Sequence, residues 1–523
     1  MMHALNLVCA VAISVLAVRA QDLLTDIAKI QRYWGQISPY ADNPEDHFGV
    51  RFVGLPDGCQ IESVQTLQRH AQRFPTGSID DGENDQRFSI KLSNLTSSSN
   101  STGSFAGPLS FLNTYRYPIV DTGLLTGIGA TTELASGVSF WNRYGRTLYN
   151  ATVGQIAYNS SFPDGTDRAP VVLRTTGFFG SSFPIVPNPT FANVTKPYKV
   201  VIIPEGGTEN NSLASYDSCF NVNDATTGVL GDLDLFTYLP KYLTAATARL
   251  QKHAPEGLTL TVNDTYAMQS ICAYEHGYLG MSDFCELFTA DEWAGFENTL
   301  DVEYYYDYAF GNPTGRAQGL GYLQELLAGL NRTLISSSSS SVNSTLDGDA
   351  TTFPTNQPFY ADFSHDDIII SVLTAMSLDY IRDPPSLTQF PPNPHRHFIL
   401  SHLTPFGARL ITETIGCSLS DPAPVEKSRV SYTPGQYGYN ASNATHKFVR
   451  MRLNHRILPL NTIRGGACGN YISGRVDGMC ALGDFMRSQQ NNTVMANYNY
   501  SCFGNYTITD PTSGKDFDGA IFQ

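Results

Sequence analysis

Residues 63–77 read SVQTLQRHAQRFPTG. The segment SVQTLQRH has the look of a strand running into a loop, and Pro75 and Gly77 mark the break. The strand ends on Arg69 and His70, with Arg73 three residues on. A second segment, FYADFSHD (359–366), repeats the pattern and ends on His365 and Asp366. Open α/β sheets bind ligands at the carboxyl ends of their strands. If the two strands share one sheet, both histidines reach one site.

The residue types suit one chemistry. Guanidinium groups stay charged and match phosphate oxygens in a bidentate fork. A neutral imidazole can attack phosphorus while cations hold the equatorial oxygens. A carboxylic acid such as Asp366 can protonate the departing alcohol. Asp366 also stands where it can cap the apolar helix that follows, and the two roles are compatible.

Outward from these strands the pattern is mixed. APVVLR (169–174) and YKVVIIPE (198–205) read as buried strands, and HKFVRMRLN (446–454) alternates apolar with basic residues. Leucines recur at helical spacing in LPKYLTAATARLQK (239–252) and GLGYLQELLAGL (319–330). The mixture predicts an α/β core, divided as residues 21–219 and 309–523, with a mostly helical insertion over 220–308. Two polar stretches, 93–104 and 335–349, read as solvated loops.

The chain of 523 residues carries a formal charge of −15. That balance argues against nucleic acid or an anionic membrane as partner, and makes the basic cluster at 69–73 a candidate for a small anion. An apolar run from Leu5 to Val18 ends in Val18-Arg19-Ala20, the pattern of a secretory signal over residues 1–20. Removing Cys9 with it leaves eight cysteines, which predicts four disulfides in an exported chain. Fourteen N-x-S/T sequons predict a secreted glycoprotein. There is no C-x-x-C pair for a structural zinc. His395 and His397 lack accompanying carboxylates or cysteines and read as surface residues; Asp232 and Asp234 in GDLDLF read as a helix start; Ser336–Ser341 reads as loop.

RHAQRFP resembles the R-H-G-x-R-x-P signature of the histidine acid phosphatases, and YADFSHDD resembles their second His-Asp motif. Further segments, among them GPLSFLNTYRYPI, YLGMSDFCELFTADEW, FGNPTGRAQGLGYLQELLAGL and ILSHLTPFGARLITETIGC, resemble the fungal secreted phytases and acid phosphatases over most of the chain. The resemblance implies a mixed α/β sandwich, phosphoglycerate mutase-like, with a helical cap. It implies His70 as a nucleophile that becomes phosphohistidine, Arg69, Arg73 and His365 as phosphate ligands, and Asp366 as proton donor. It implies small phosphomonoesters as substrates, plausible phytate among them, at acid pH. It implies no metal and no cofactor, since arginines take the place of a cation. It also implies the pairs Cys59–Cys417, Cys219–Cys502, Cys272–Cys285 and Cys468–Cys480, which counting alone does not select.

Three positions depart from the pattern. Ala71 replaces the glycine of the signature, and Asp367 stands where many phytase-type members have asparagine, adding a carboxylate that would repel a polyanion. VVLRTTGFFG passes directly from Thr176 to Gly177, where the family carries a helix and a third clamping arginine. Two readings follow: an active secreted phosphatase, or a glycoprotein of the same fold that binds phosphate with impaired turnover.

Overall fold

The computed structural model describes residues 22–523 apart from 76–78, 80–82, 98–102, 120–122, 150–170, 176–197, 207–208, 430, 432, 466–467, 469–474 and 509–516. For 96–97, 171–175 and 198–200 it describes the backbone. The expected signal segment and the Thr176–Gly177 junction lie outside the described residues.

Eight strands form one mixed sheet: β1 Cys59–Arg69, β2 Val171–Thr175, β3 Tyr198–Ile202, β4 Phe359–Ser364, β5 Arg409–Cys417, β6 His446–Leu453, β7 Arg456–Ile457 and β8 Cys480–Ala481. Their order is β3-β2-β4-β1-β5-β6-β7, with β8 on β6. β3, β2, β4 and β1 run parallel, while β5 returns antiparallel to β1 and β6 antiparallel to β5. The α/β architecture expected from the alternating patterns is therefore the one present.

Seven longer helices matter for the site: α1 Asn84–Ser97, α2 Gly127–Tyr149, α3 Leu230–Gln251, α4 Val262–Leu279, α5 Ala290–Tyr308, α6 Gly315–Asn331 and α7 Asp366–Ala375. Successive strand residues point to opposite faces of the sheet. On one face Val64, Phe359, Ala361 and Phe363 meet Phe140, Tyr144 and Leu148 of α2. On the other face Leu67 joins a large continuous core that takes in α3 to α7 and Val449, Met451 and Leu453 of β6. The 230–308 helices thus share their core with the sheet. α7 is buried along its whole length and lies against α6. The two approach closely at Gly319, where a Cβ would stand 2.0 Å from the Ser371 carbonyl oxygen.

The cysteines form the disulfides Cys59–Cys417, Cys219–Cys502, Cys272–Cys285 and Cys468–Cys480. Two expectations fail in part. The polar stretch 93–104 is not all loop, because its residues 93–97 complete α1. The serine run is solvated only in part, because Ser340 and Ser341 are buried. Asn210 donates through Nδ2 to the carbonyls of Ser340 and Val342, at 3.1 and 3.2 Å. Gly321 has no side chain to displace Ser341 Oγ, which would lie 2.1 Å from a Cβ there. Asp232 and Asp234 fall in the first turns of α3, and His395 and His397 are exposed.

Candidate active site

The site begins with register. β1 and β4 pair in parallel with Arg69 opposite Ser364, so the residues that follow leave the sheet side by side. The His70 N–H donates to the Ser364 carbonyl at 3.1 Å, and the Gly407 N–H donates to the His70 carbonyl at 2.9 Å. His70 is thereby held from both neighbouring strands. Its ring lies 5.5 Å from that of His365, nearly edge-on.

His70 is 2 % exposed. Its Nδ1 is 2.8 Å from the Ala71 carbonyl oxygen. A carbonyl only accepts, so Nδ1 carries the proton and Nε2 carries the lone pair. Burial pushes the imidazole well below its ordinary pKa, and the charges of Arg73, Arg69 and His365 push it further the same way. The ring is therefore neutral in acid solution, which is the form with a free electron pair.

Arg69 does more than the sequence suggests. Nη1 donates to the Thr404 carbonyl at 2.8 Å and to the Gln36 carbonyl, and Nη2 pairs with Asp366 Oδ2 at 2.7 Å. The guanidinium lies over the Phe406 ring, 4.5 Å from its centroid. Only Nε is buried without an acceptor among the described residues. The fork expected to face phosphate is thus partly committed to holding the carboxylate of Asp366. Tyr304 donates its hydroxyl to the same Oδ2 at 2.9 Å. Arg73 follows the turn, bridged through its backbone to Leu125.

His365 Nε2 stands 2.8 Å from Glu205 Oε1. Sequence reading did not single out Glu205 or Tyr304: Glu205 ends the strand-like segment 198–205 without a histidine or arginine beside it, and Tyr304 lies inside α5. Asp367 is 6 % exposed, and burial is the main cause that carries its pKa far above the usual carboxylate range, with Asp366 and Glu205 adding to it. In acid solution Asp367 is neutral. The repulsion of a polyanion inferred from its sequence position is correspondingly weak there.

Behind the loop that carries His70 lies Glu133 of α2, 2 % exposed. Oε1 accepts the Ala71 N–H at 2.8 Å, and Oε2 accepts from Gln68 Nε2 at 2.5 Å. Gln68 Oε1 in turn accepts from Ser136 at 2.6 Å. Burial raises the Glu133 pKa to about 7 against the opposing pull of the Ala71 amide, Arg409 and Gln68. α2 reaches this position because Gly129 has no Cβ; one would stand 2.0 Å from the Gln72 carbonyl oxygen. A lone glutamate among threonines and small residues gave no sequence signal for this role.

Comparison with known proteins agrees with the geometry. The model of the histidine phosphatase superfamily, branch 2, matches residues 60–454. Phytase A of Aspergillus fumigatus is 32% identical over 463 residues, covering 87% of both chains. Phytase A of Aspergillus oryzae is 31% identical over 404 residues, covering 74% of this chain and 80% of its own. Among solved structures, a phytase from D. castellii superposes with a TM-score of 0.63 at 23% identity, covering 92% of this chain and 89% of its own. A Bifidobacterium longum multiple inositol polyphosphate phosphatase in complex with phosphate gives 0.51 at 16% identity, covering 94% and 100%. Family, fold and strand-end cluster coincide: the chain belongs to the histidine phosphatase superfamily, branch 2, and is a phosphomonoester hydrolase of that family.

Proposed function

We propose that the chain is a secreted acid phosphatase that works through a phosphohistidine at His70, with phytate among its substrates. The observation that carries the reading is His70 itself. It is buried, fixed by Ala71 with its proton on Nδ1, and kept neutral in acid by burial and neighbouring arginines.

The steps follow from that arrangement. Nε2 attacks phosphorus as the P–O bond to the alcohol breaks. Arg69, Arg73 and His365 hold the phosphoryl oxygens, where charge spreads in the transition state. Asp366, held by Arg69 and Tyr304, gives its proton to the leaving oxygen. Water then attacks the phosphohistidine and passes a proton to the Asp366 carboxylate, the N–P bond breaks, and inorganic phosphate leaves with His70 and Asp366 restored. Substrate class is supported by the relatives, which carry the name phytase at up to 32% identity. Export is supported by the leader-like segment at 1–20, the sequons and the four disulfides.

The test uses two substrates. His70→Ala should abolish turnover of both nitrophenyl phosphate and phytate while the chain stays folded. Asp366→Asn should slow glycerol phosphate, whose alcohol is a poor leaving group, much more than nitrophenyl phosphate. Equal slowing of the two would remove Asp366 from the acid role, and residual turnover in His70→Ala would remove the mechanism.

A further inference from the structure

The face of the sheet under α2 holds a second cationic site. Between α2 and strands β1, β5 and β6 lies a cavity of about 430 Å³, a size typical of small-molecule sites. Five arginines line it, Arg143, Arg409, Arg429, Arg450 and Arg452, against two carboxylates, Asp42 and Glu413. None of Arg69, His70, Arg73, His365 or Asp366 belongs to its wall.

The balance of partners is uneven. Glu413 is fully buried and accepts from Arg450 Nε at 2.7 Å, Arg452 Nε at 2.8 Å and the Tyr144 hydroxyl at 2.7 Å. One carboxylate therefore serves two guanidiniums. Arg429 has its own partner in Asp57 at the rim. Arg143 contacts the neutral ring of His455, and Asp42 sits half-exposed 3.6 Å from the same ring. Arg409 faces the Tyr40 ring at 3.9 Å, and its side chain donates to no acceptor among the described residues. Glu133, which feels the Arg409 charge, is already bonded to Ala71 and Gln68. Arg409, Arg450 and Arg452 are 8, 2 and 8 % exposed.

Buried charges are ordinarily paired, and their donors satisfied. Here an anionic protein concentrates positive charge in a shaped hollow and leaves donors over. Guanidinium groups at this density select tetrahedral oxyanions, which accept from several forks at once. We propose that the cavity is a second oxyanion site, taking a phosphate-type dianion either free or as the phosphate group of a small ester. It is an addition to the strand-end cluster, and the count of sites used to test it rests on the phosphate-binding role proposed for that cluster.

Equilibrium dialysis of the intact chain against labelled inorganic phosphate tests it. Two phosphates should bind per chain. The double variant Arg143→Ala, Arg452→Met should bind one, with affinity at the lost site down at least tenfold and turnover of nitrophenyl phosphate unchanged. Ser139→Glu is a second route, because Ser139 lines the cavity from the exposed side of α2 and its replacement supplies the anion from within. It should also leave one site. A single phosphate per wild-type chain would overturn the proposal, as would two sites persisting in both variants. Glycerol 2-phosphate, titrated against the His70→Ala chain, separates the sources. Two bound esters mean that ester phosphate is taken, and one means that the site accepts only the free ion.

Discussion

At the scale of single residues, Glu133 ties structure to pH. Its carboxylate holds the amide beside His70, so Glu133→Leu leaves the Ala71 and Gln68 donors buried without an acceptor, at a cost of about 1–3 kcal/mol. We expect kcat to fall roughly tenfold with KM little changed, and Glu133→Gln to restore most of it, since an amide oxygen still accepts from Ala71. The sign of the pH effect follows from its raised pKa. The folded state holds a proton that the unfolded state has lost between the ordinary carboxylate range and about 7. That contribution to stability is complete below the ordinary range and is lost as pH rises through 7. Melting temperature should therefore drop between pH 5 and pH 7.5, and drop less in Glu133→Gln. An identical decline in both proteins would contradict this. Glu413 acts in the opposite direction: Arg450 and Arg452 hold it well below the usual carboxylate range despite burial. Its share of stability survives mild acid and is lost only at very low pH. His70, His365 and Asp366 could be picked out as candidates because their motifs are local. Glu133 could not, nor could the acceptors of Arg69, because backbone carbonyls of Gln36 and Thr404 carry no signature in the side chains.

At the scale of elements, strands were easier to read than helices. β1, β2, β3, β4 and β6 announce themselves by short apolar or alternating runs. α2 does not. Gly127, Gly129, Gly137 and Gly145, with three threonines, give it poor helix propensity, and its position rests on packing. Close approach at Gly129 and Gly319 needs residues that weaken a helix in isolation. Gly319→Val should force α7 away from α6 and shift Asp366 with it. Calorimetry should show a loss of about 1–3 kcal/mol, as overpacked cores do, with turnover reduced in parallel. The junction after β2 makes a further expectation. Inserting the family-like helix and arginine between Thr176 and Gly177 should raise kcat on phosphomonoesters by about 10²–10³, the scale of one preorganised donor. Equal rates in both chains would make the third arginine dispensable here.

At the scale of the whole molecule, burial decides which sequons can carry glycan. Asn343 is 9 % exposed and its side-chain oxygen accepts the Leu346 N–H at 3.3 Å, capping a short helix. Mass mapping of the protein from a eukaryotic host should find Asn343 bare while exposed sites such as Asn331 and Asn440 are occupied. The acidic composition argued against a nucleic-acid partner, and the even cysteine count predicted the four disulfides that are present. They could not indicate that one hydrophobic core runs from Trp34 through α3–α7 to β6, since that continuity is a property of packing in three dimensions.

Arg69 grips carbonyls from Gln36 and Thr404 and the carboxylate of Asp366, while Cys59 waits for Cys417. Chains emerge from the ribosome amino end first. Until residue 404 has been made, the guanidinium lacks one of its anchors, and until residue 417 has been made, β1 lacks its covalent tie. His70 is synthesised early, but the guanidinium beside it and the strand that carries it are fastened only by residues made late.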